Sequence, residues 1–457
     1  MTSNGKRHQH ATGICRREVV QAGFTGLLGL TLADLLAARD ASASPAAAAR
    51  LGGPKAKSVI LVFLTGGPPH QDMWDIDMTR PAELRGETRP IKTNVSGIEI
   101  SEHLPMLAKT ADKYSIIRSM HHGTNEHEFG THFMLTGVNQ LPPNARFFAT
   151  RADWPAMGSI VNWARPSGNG LPSSVILPTY LNNGYGFSGQ SGGIMGSRYD
   201  PWIVDKDPSK PDFRVPDLQP AAGLTVDRLD QRRALLDRID GRRRDLDGLP
   251  EVRQMSETQA KAFTTLTSPK TRDAFDLSKE PQALRERYGM HMFGQSLLLA
   301  RRLAEAGVGL IQANMGTMNN WDTHGNNWGQ LKDRLLPPFD RGLSALLEDL
   351  TQRGLLDETL VIAVGEFGRT PKINATAGRD HWGGVFSAVW AGGGVQGGRI
   401  IGKSDREAAY PDSEAYLPAD MAATVFAALG ISPRAEFQDL QGRPFPVSTG
   451  NVIAPLF

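Results

Sequence analysis

One run of side chains constrains this chain more than any other: Thr359, Leu360, Val361, Ile362, Ala363 and Val364, followed by Gly365, Glu366, Phe367, Gly368, Arg369, Thr370 and Pro371. Consecutive aliphatic residues, mostly β-branched and without polar alternation, describe a strand buried on both faces, as in parallel sheets. Parallel strands need long crossover connections, which helices usually supply. The run therefore predicts an α/β fold. In open α/β sheets, ligands bind beyond the carboxyl ends of the strands. Glu366 and Arg369 fall in that zone, as do Asp380 and His381 after a short polar loop.

Other segments repeat the pattern. Residues 58–65 form an apolar run that ends in Gly66, Gly67, Pro68 and Pro69, then His70, Asp72 and Asp75. Residues 114–120 read as a strand delivering His121 and His122, followed by a helical segment that carries Glu126, His127, Glu128 and His132. Residues 174–177 are a short apolar run opening a Gly/Asn/Ser/Tyr-rich loop at 182–199. Residues 308–314 predict a strand that leads to Trp321, Asp322, Thr323 and His324. Phe339, Leu343, Leu346, Leu347 and Leu350 recur at helical spacing before Gly354. Strand, helix and strand in this order make a right-handed crossover unit ending in the opening run. Residues 385–391 and 398–401 read as further strands, and 419–429 as a last amphipathic helix.

Two segments stand apart. In residues 1–49, Arg16 and Arg17 precede an apolar run at 22–36 and then small residues, Ala41-Ser42-Ala43. A basic region, a weakly apolar core and small residues form a secretory signal, and the paired arginines point to the twin-arginine route. The expected location is therefore the periplasm or cell surface. Asp34 interrupts the run, leaving it too short for an integral membrane span. The body, 50–457, is read as one α/β domain with a helical insertion at about 220–290, where Arg, Asp and Leu alternate in opposite-charge pairs. A net charge of +2 without a basic stripe excludes a nucleic-acid partner. The sole cysteine, Cys15, lies in the leader, so disulfides and cysteine-bound metals are excluded from the body.

The chemistry is therefore left to histidine and carboxylates. Seven histidines follow predicted strand ends, namely His70, His121, His122, His127, His132, His324 and His381, and acidic residues accompany most of them. A divalent metal such as Zn, Mn, Fe or Ca uses such groups when no thiolate is present. Arg369 and Arg118 could add a bidentate fork for an oxyanion. Single histidines are more often structural, and His103 and His291 are read so. Adjacent His121 and His122 face opposite ways in an extended chain, so only one of them serves a site.

Residues 61–75, residues 125–137 ending in Met134-Leu135-Thr136-Gly137, residues 320–324, residues 365–371 and residues 378–383 resemble an uncharacterised bacterial family, domain of unknown function 1501. That family is related to sulfatases within the alkaline phosphatase superfamily. The resemblance covers about 55–447. It implies an alkaline-phosphatase-like core, a mostly parallel sheet with helices on both faces, and a metal centre at the strand ends. By that resemblance Asp322, His324 and His381 match metal ligands. Glu366 stands where an aspartate of an Asp-His-Gly motif is expected, with Phe367 in place of its histidine. Asp380 joins the metal set, and His70 or Asp72 substitutes for the missing first-strand aspartate.

By the same resemblance His127, ten residues before Gly137, stands at the position of the sulfatase nucleophile, as a nucleophile or equally as a metal ligand, with Thr124 and Thr131 as the nearest hydroxyls. Arg369 would hold the oxyanion, and without a cysteine no formylglycine can form. The expected function is an exported metal-dependent hydrolase of phosphate or sulfate esters, acting on a small-molecule or glycan ester. The alternative is a non-catalytic glycan- or surface-binding protein that keeps the fold.

Overall fold

The computed structural model describes residues 53, 55–140, 149–167, 170–182, 185–215, 231, 268–316 and 320–457. The expected signal segment lies outside the described residues, as does most of the expected insertion. From the latter's end, Pro269–Phe275 and Gln282–Tyr288 are helical.

The strands that build the site are β1 (Ser58–Phe63), β2 (Tyr114–Met120), β3 (Ser174–Leu177), β4 (Trp202–Ile203), β5 (Leu310–Asn314), β6 (Thr359–Val364), β7 (Gly368–Arg369), β8 (His381–Trp382), β9 (Phe386–Ala391) and β10 (Arg399–Ile401). Eight of them form one sheet in the order β10-β2-β9-β6-β1-β5-β3-β4, while β7 and β8 pair as a separate antiparallel ribbon. The opening run of the sequence, β6, lies one strand from the first: Ile60 pairs with Val361 on one side and Ile311 on the other. All neighbours in the large sheet are parallel except those of β9, which runs antiparallel to both β2 and β6. The chain leaves β6, makes the ribbon, and re-enters the sheet at the same edge. No crossover is needed, so the direction reverses.

Burial on both faces follows from the uninterrupted apolar runs. Ile60, Val62, Val361 and Ala363 enter one core, and Val59, Leu61, Phe63, Leu360, Ile362 and Val364 enter the other. The first core is covered by α3 (Met292–Ala306) and α4 (Leu336–Gln352). The second is covered by α1 (His127–Thr136), α2 (Met157–Ala164) and α5 (Pro418–Ala428). On α4, Leu343, Leu346, Leu347 and Leu350 are buried to 1% exposure or less, worth about 1.5–3 kcal/mol each. The expected mostly parallel sheet with helices on both faces is observed. Among the described residues no helix is long and apolar enough to cross a membrane.

Two glycines let the strand ends meet. A Cβ on Gly66, which has φ +112°, would lie 2.7 Å from the backbone nitrogens of Trp321 and Asp322. A Cβ on Gly365 would overlap the Pro68 ring and come within 2.8 Å of the Leu64 carbonyl. These approaches bring the segments after β1, β5 and β6 to one point.

Candidate metal centre

Each arm of that point is anchored by its own sequence. Trp321 is fully buried edge-on against Phe339, and its backbone N–H donates to the Thr65 carbonyl at 2.9 Å. That seats Asp322 beside Gly66. His127 is the first residue of α1, so the helix delivers it at its positive end. His381 on β8 stands opposite Arg369 on β7. Glu366 follows β6 by two residues, is wholly buried, and accepts the Gly66 N–H on both carboxylate oxygens at 2.8 and 3.0 Å.

The three rings share one design. His381 Nδ1 lies 2.8 Å from the Asn125 carbonyl, His324 Nδ1 lies 2.7 Å from Asp380 Oδ1, and His127 Nδ1 lies 2.6 Å from Glu366 Oε1. Every one of these partners is an acceptor, so each Nδ1 donates to it and each Nε2 is turned the other way. Those Nε2 atoms all face the Asp322 carboxylate. His324 and His381 Nε2 are 3.0 Å apart, each is 3.0 Å from Asp322 Oδ1, and His127 Nε2 is 3.4 Å from Asp322 Oδ2. The last separation is too long for a good hydrogen bond, and His127 Nε2 is buried without a hydrogen-bond partner.

A carboxylate and imidazole nitrogens this close to one another make a candidate site for a cation. Ligands of a tetrahedral ion with bonds of 2.0–2.1 Å lie about 3.3 Å apart, close to the separations here. His127, Asp322 and His381 each offer an atom within 4.8 Å of the other two. The outer acceptors Glu366, Asp380 and Asn125 hold the rings as outer-shell partners hold metal-bound histidines. The residues present therefore fit a divalent ion.

The electrostatics agree. Burial opposes charge on His127, but its contacts with Asp322 and Glu366 outweigh that and raise its pKa to about 9. Burial likewise disfavours the Asp322 carboxylate, yet His127, His381 and Arg369 hold it well below the usual range. A proton on His127 thus stands where a cation belongs. The side chains become more exposed from His127 (11%) through His381 (22%) to His324 (45%), so the centre opens beside His324 and Asp380.

The ten site residues expected from the sequence divide into distinct positions. His127, Asp322 and His381 come together, with His324 beside Asp322 and His381. Glu366 and Asp380, expected as ligands, hold ring Nδ1 atoms instead. His70 is corrected to a buried structural residue: its Nε2 is 3.2 Å from the Ala408 carbonyl, and burial lowers its pKa to about 4. Asp72 is corrected likewise. Its carboxylate is closed by Arg379, Asn327 and Trp328, with Arg379 Nε at 2.7 Å.

Thr124 Oγ1 accepts the Glu126 N–H at 3.2 Å. Arg369 is wholly buried and donates to the carbonyls of Gly66, Gly67, Trp321 and Arg379 and to Asp322, so it has no face for an oxyanion. Arg118 pairs with Asp75 at 3.3 Å, and His132 bonds Ser188 at 2.7 Å. Sequence reasoning missed Asn125, which acts through its carbonyl, and left open which of His121 and His122 serves the site; it is His122 whose Nε2 lies 2.5 Å from the Glu366 carbonyl. A backbone oxygen leaves no side-chain signature, whereas His122 was visible as one of an adjacent pair.

Residues 56–457 match the family described as "Protein of unknown function (DUF1501)". The chain belongs to this family. A comparison with curated proteins returns no match. Among solved structures, this DUF1501 chain overlaps Ps i-CgsB over 83% of its own length and 72% of the other, at 10% identity and a TM-score of 0.40. It overlaps the PsFucS1 sulfatase from Pseudoalteromonas sp. over 86% and 70%, at 11% identity and 0.35. The phosphonate monoester hydrolase SpPMH from Silicibacter pomeroyi overlaps over 88% and 76%, at 11% identity and 0.32. Likenesses this distant carry no argument about activity.

Proposed function

We propose that this DUF1501 protein is an exported, metal-dependent hydrolase of phosphate or sulfate esters. One observation carries the reading: three imidazole Nε2 atoms face the Asp322 carboxylate while every Nδ1 is tied to an acceptor. His127, Asp322, His324 and His381 would hold the ion. Three nitrogens and one carboxylate suit zinc or iron better than calcium or manganese, which favour oxygen ligands. Such an ion, when bound, acts as a Lewis acid that polarises an ester oxygen and offsets charge on the phosphoryl or sulfuryl group.

The chain's own groups position that chemistry. Glu366, Asp380 and the Asn125 carbonyl keep the Nδ1 protons in place and aim the rings. Arg369 fixes Asp322. The N-terminus of α1 adds positive potential next to His127, which favours an anionic ester. A small-molecule or glycan ester would enter beside His324, the most exposed of the three rings. Export through the twin-arginine route rests on Arg16, Arg17 and the apolar run behind them.

A second reading, a glycan- or surface-binding protein without turnover, is favoured by one specific observation. The group expected to hold the substrate oxyanion, the Arg369 guanidinium, is committed to backbone carbonyls and to Asp322. Assay of the purified protein against aryl phosphates and aryl sulfates, with elemental analysis of the same sample, separates the readings. The hydrolase reading expects a stoichiometric ion and turnover abolished by His381→Ala. A bound ion without turnover favours the binder, and neither ion nor turnover ends the metal reading.

A further inference from the structure

A cavity of about 620 Å³ lies apart from the metal centre, within the size range of small-ligand sites. The last turn of α1 and the residues after it form one wall, and the first turn of α5 forms another. Trp154, just before α2, and the hairpin of Glu436–Gln438 and Pro444–Pro446 supply the aromatic part. Residues 447–451 complete the lining. Gly450 lets that segment lie against α5, since a Cβ there would come within 2.1 Å of the Ala419 backbone. Asp420 ties the same contact, accepting the Leu417 N–H at 2.8 Å and the Asn451 N–H at 2.7 Å. The cavity is therefore built into the packing of the fold.

Its lining points to the chemistry of a ligand. Phe445 stacks on the buried Phe437 with centroids 5.9 Å apart, and Trp154 stands edge-on to Phe445 at 5.3 Å and 81°. Two partly exposed rings at nearly right angles make a rigid apolar corner. Around it, the exposed side chains of Asn139, Thr449 and Asn451 make no hydrogen bond among the described residues. Amides and hydroxyls offer both donors and acceptors. Asp420 is the only ionisable side chain lining the cavity among the described residues, and each of its oxygens already accepts a backbone N–H. With no basic group, the cavity has nothing to hold a phosphate or sulfate. Apolar ring faces beside neutral donors and acceptors match a sugar, which is apolar on its C–H face and carries hydroxyls around its rim.

Position links the cavity to the centre. His127 is the first residue of α1 and Thr136 the last, so centre and cavity stand at the two ends of one ten-residue helix, about 15 Å apart. α5 begins beside the end of β2, where Met120 bridges to Tyr416 and the His121 N–H donates to the Tyr416 carbonyl at 2.9 Å. The wall made by α5 thus lies at the carboxyl edge of the sheet, as the centre does.

We propose that this cavity binds a neutral sugar unit. The substrate of the centre is then a glycan chain, with its anionic ester at the metal ligands and an uncharged unit held here. The substrate role rests on the hydrolase reading above, whereas the binding itself does not.

The test presents the full chain, first stripped of metal with EDTA and then loaded with zinc, to an array of maltohexaose, cellohexaose, xylohexaose, mannohexaose and galactohexaose. At least one of the five is expected to be retained, with zinc or without. Trp154→Ala is expected to weaken retention about 10-fold or more, because it removes buried area together with a ring contact. Asn451→Ala should weaken it about 3–10-fold, the worth of one hydrogen bond, and decides the matter if Trp154→Ala does not fold. Retention of none of the five, retention equal to wild type in both variants, or displacement of the sugar by millimolar choline overturns the proposal. Turnover of aryl esters with no sugar retained leaves the hydrolase reading standing and removes this one. Sugar retained by a protein that holds no ion and turns over no ester removes the hydrolase reading and leaves the cavity as a binding site.

Discussion

Asp72→Asn separates a structural carboxylate from a metal ligand. In the native protein Asp72 is 1% exposed and Arg379 is wholly buried. Arg379 Nε and Nη2 donate to Asp72 at 2.7 and 3.3 Å, while Asn327 Nδ2 and Trp328 Nε1 donate at 3.0 and 3.1 Å. Asparagine keeps one acceptor oxygen but replaces the other with a donor that points at donors. The Arg379 charge stays buried with only the carbonyls of Leu84, Thr370 and Pro371 as partners. Removing one partner of a buried ion pair costs about 3–5 kcal/mol, and the retained acceptor places this change near 3. With an unfolding entropy of about 2.1 cal/mol/K per residue over roughly 400 residues, the melting temperature should fall by about 3–4 °C. The assay is calorimetry of wild type and variant, with elemental analysis before each scan. The expected result is lower stability with an unchanged metal count. A variant that melts like wild type but has lost its ion would refute the reassignment of Asp72.

Asp322→Asn should do the converse, lowering metal affinity by more than about 100-fold, beyond the usual outer-shell loss, while Glu366→Gln lowers it by about 10–100-fold; competition titration with a chromogenic chelator measures both. Ion binding should release close to one proton per chain at pH 7–8, because His127 in the ion-free protein has its pKa raised to about 9 and must lose its proton to become a ligand. Calorimetry in buffers of different ionisation enthalpy reads that proton, and a buffer-independent heat would contradict it. Acid should destabilise the fold through His70 and His132, both lowered to about 4, chiefly by burial. Below pH 6.5 the unfolded chain takes up protons that the folded chain refuses. Stability should therefore drop as pH falls from 6.5 to about 4, by roughly 3 kcal/mol for each histidine. Denaturant titrations across that range test it, and His132→Asn should remove one share.

The sheet was legible because its signal is local. Residues 359–364 and 58–63 are unbroken apolar runs, and a run buried on both faces has few alternatives to a central parallel strand. Trp202–Ile203 was not legible, since two paired residues leave no periodicity. Nor was the antiparallel direction of β9, which depends on how the chain re-enters the sheet rather than on its side chains. At the centre, residue type and strand-end position pointed to Asp322, His324 and His381, whose side chains the structure brings side by side. They could not rank ligands against supports. His70 and Asp72 also follow a strand, but a short helix (His70–Met73) turns both inward, where Ala408 and Arg379 meet them. Arg369 misled for a related reason. A buried arginine and a substrate-binding arginine look alike in sequence, and only its five oxygen partners distinguish them.

X-ray absorption at the metal edge of the protein, isolated with its native ion, tests the central claim most directly. The account predicts one transition-metal ion per chain with a nitrogen/oxygen shell at about 2.0–2.1 Å and the outer-shell scattering of several imidazole rings, lost together in His381→Ala. An ion surrounded only by oxygen, or a folded protein that retains no ion, would contradict it.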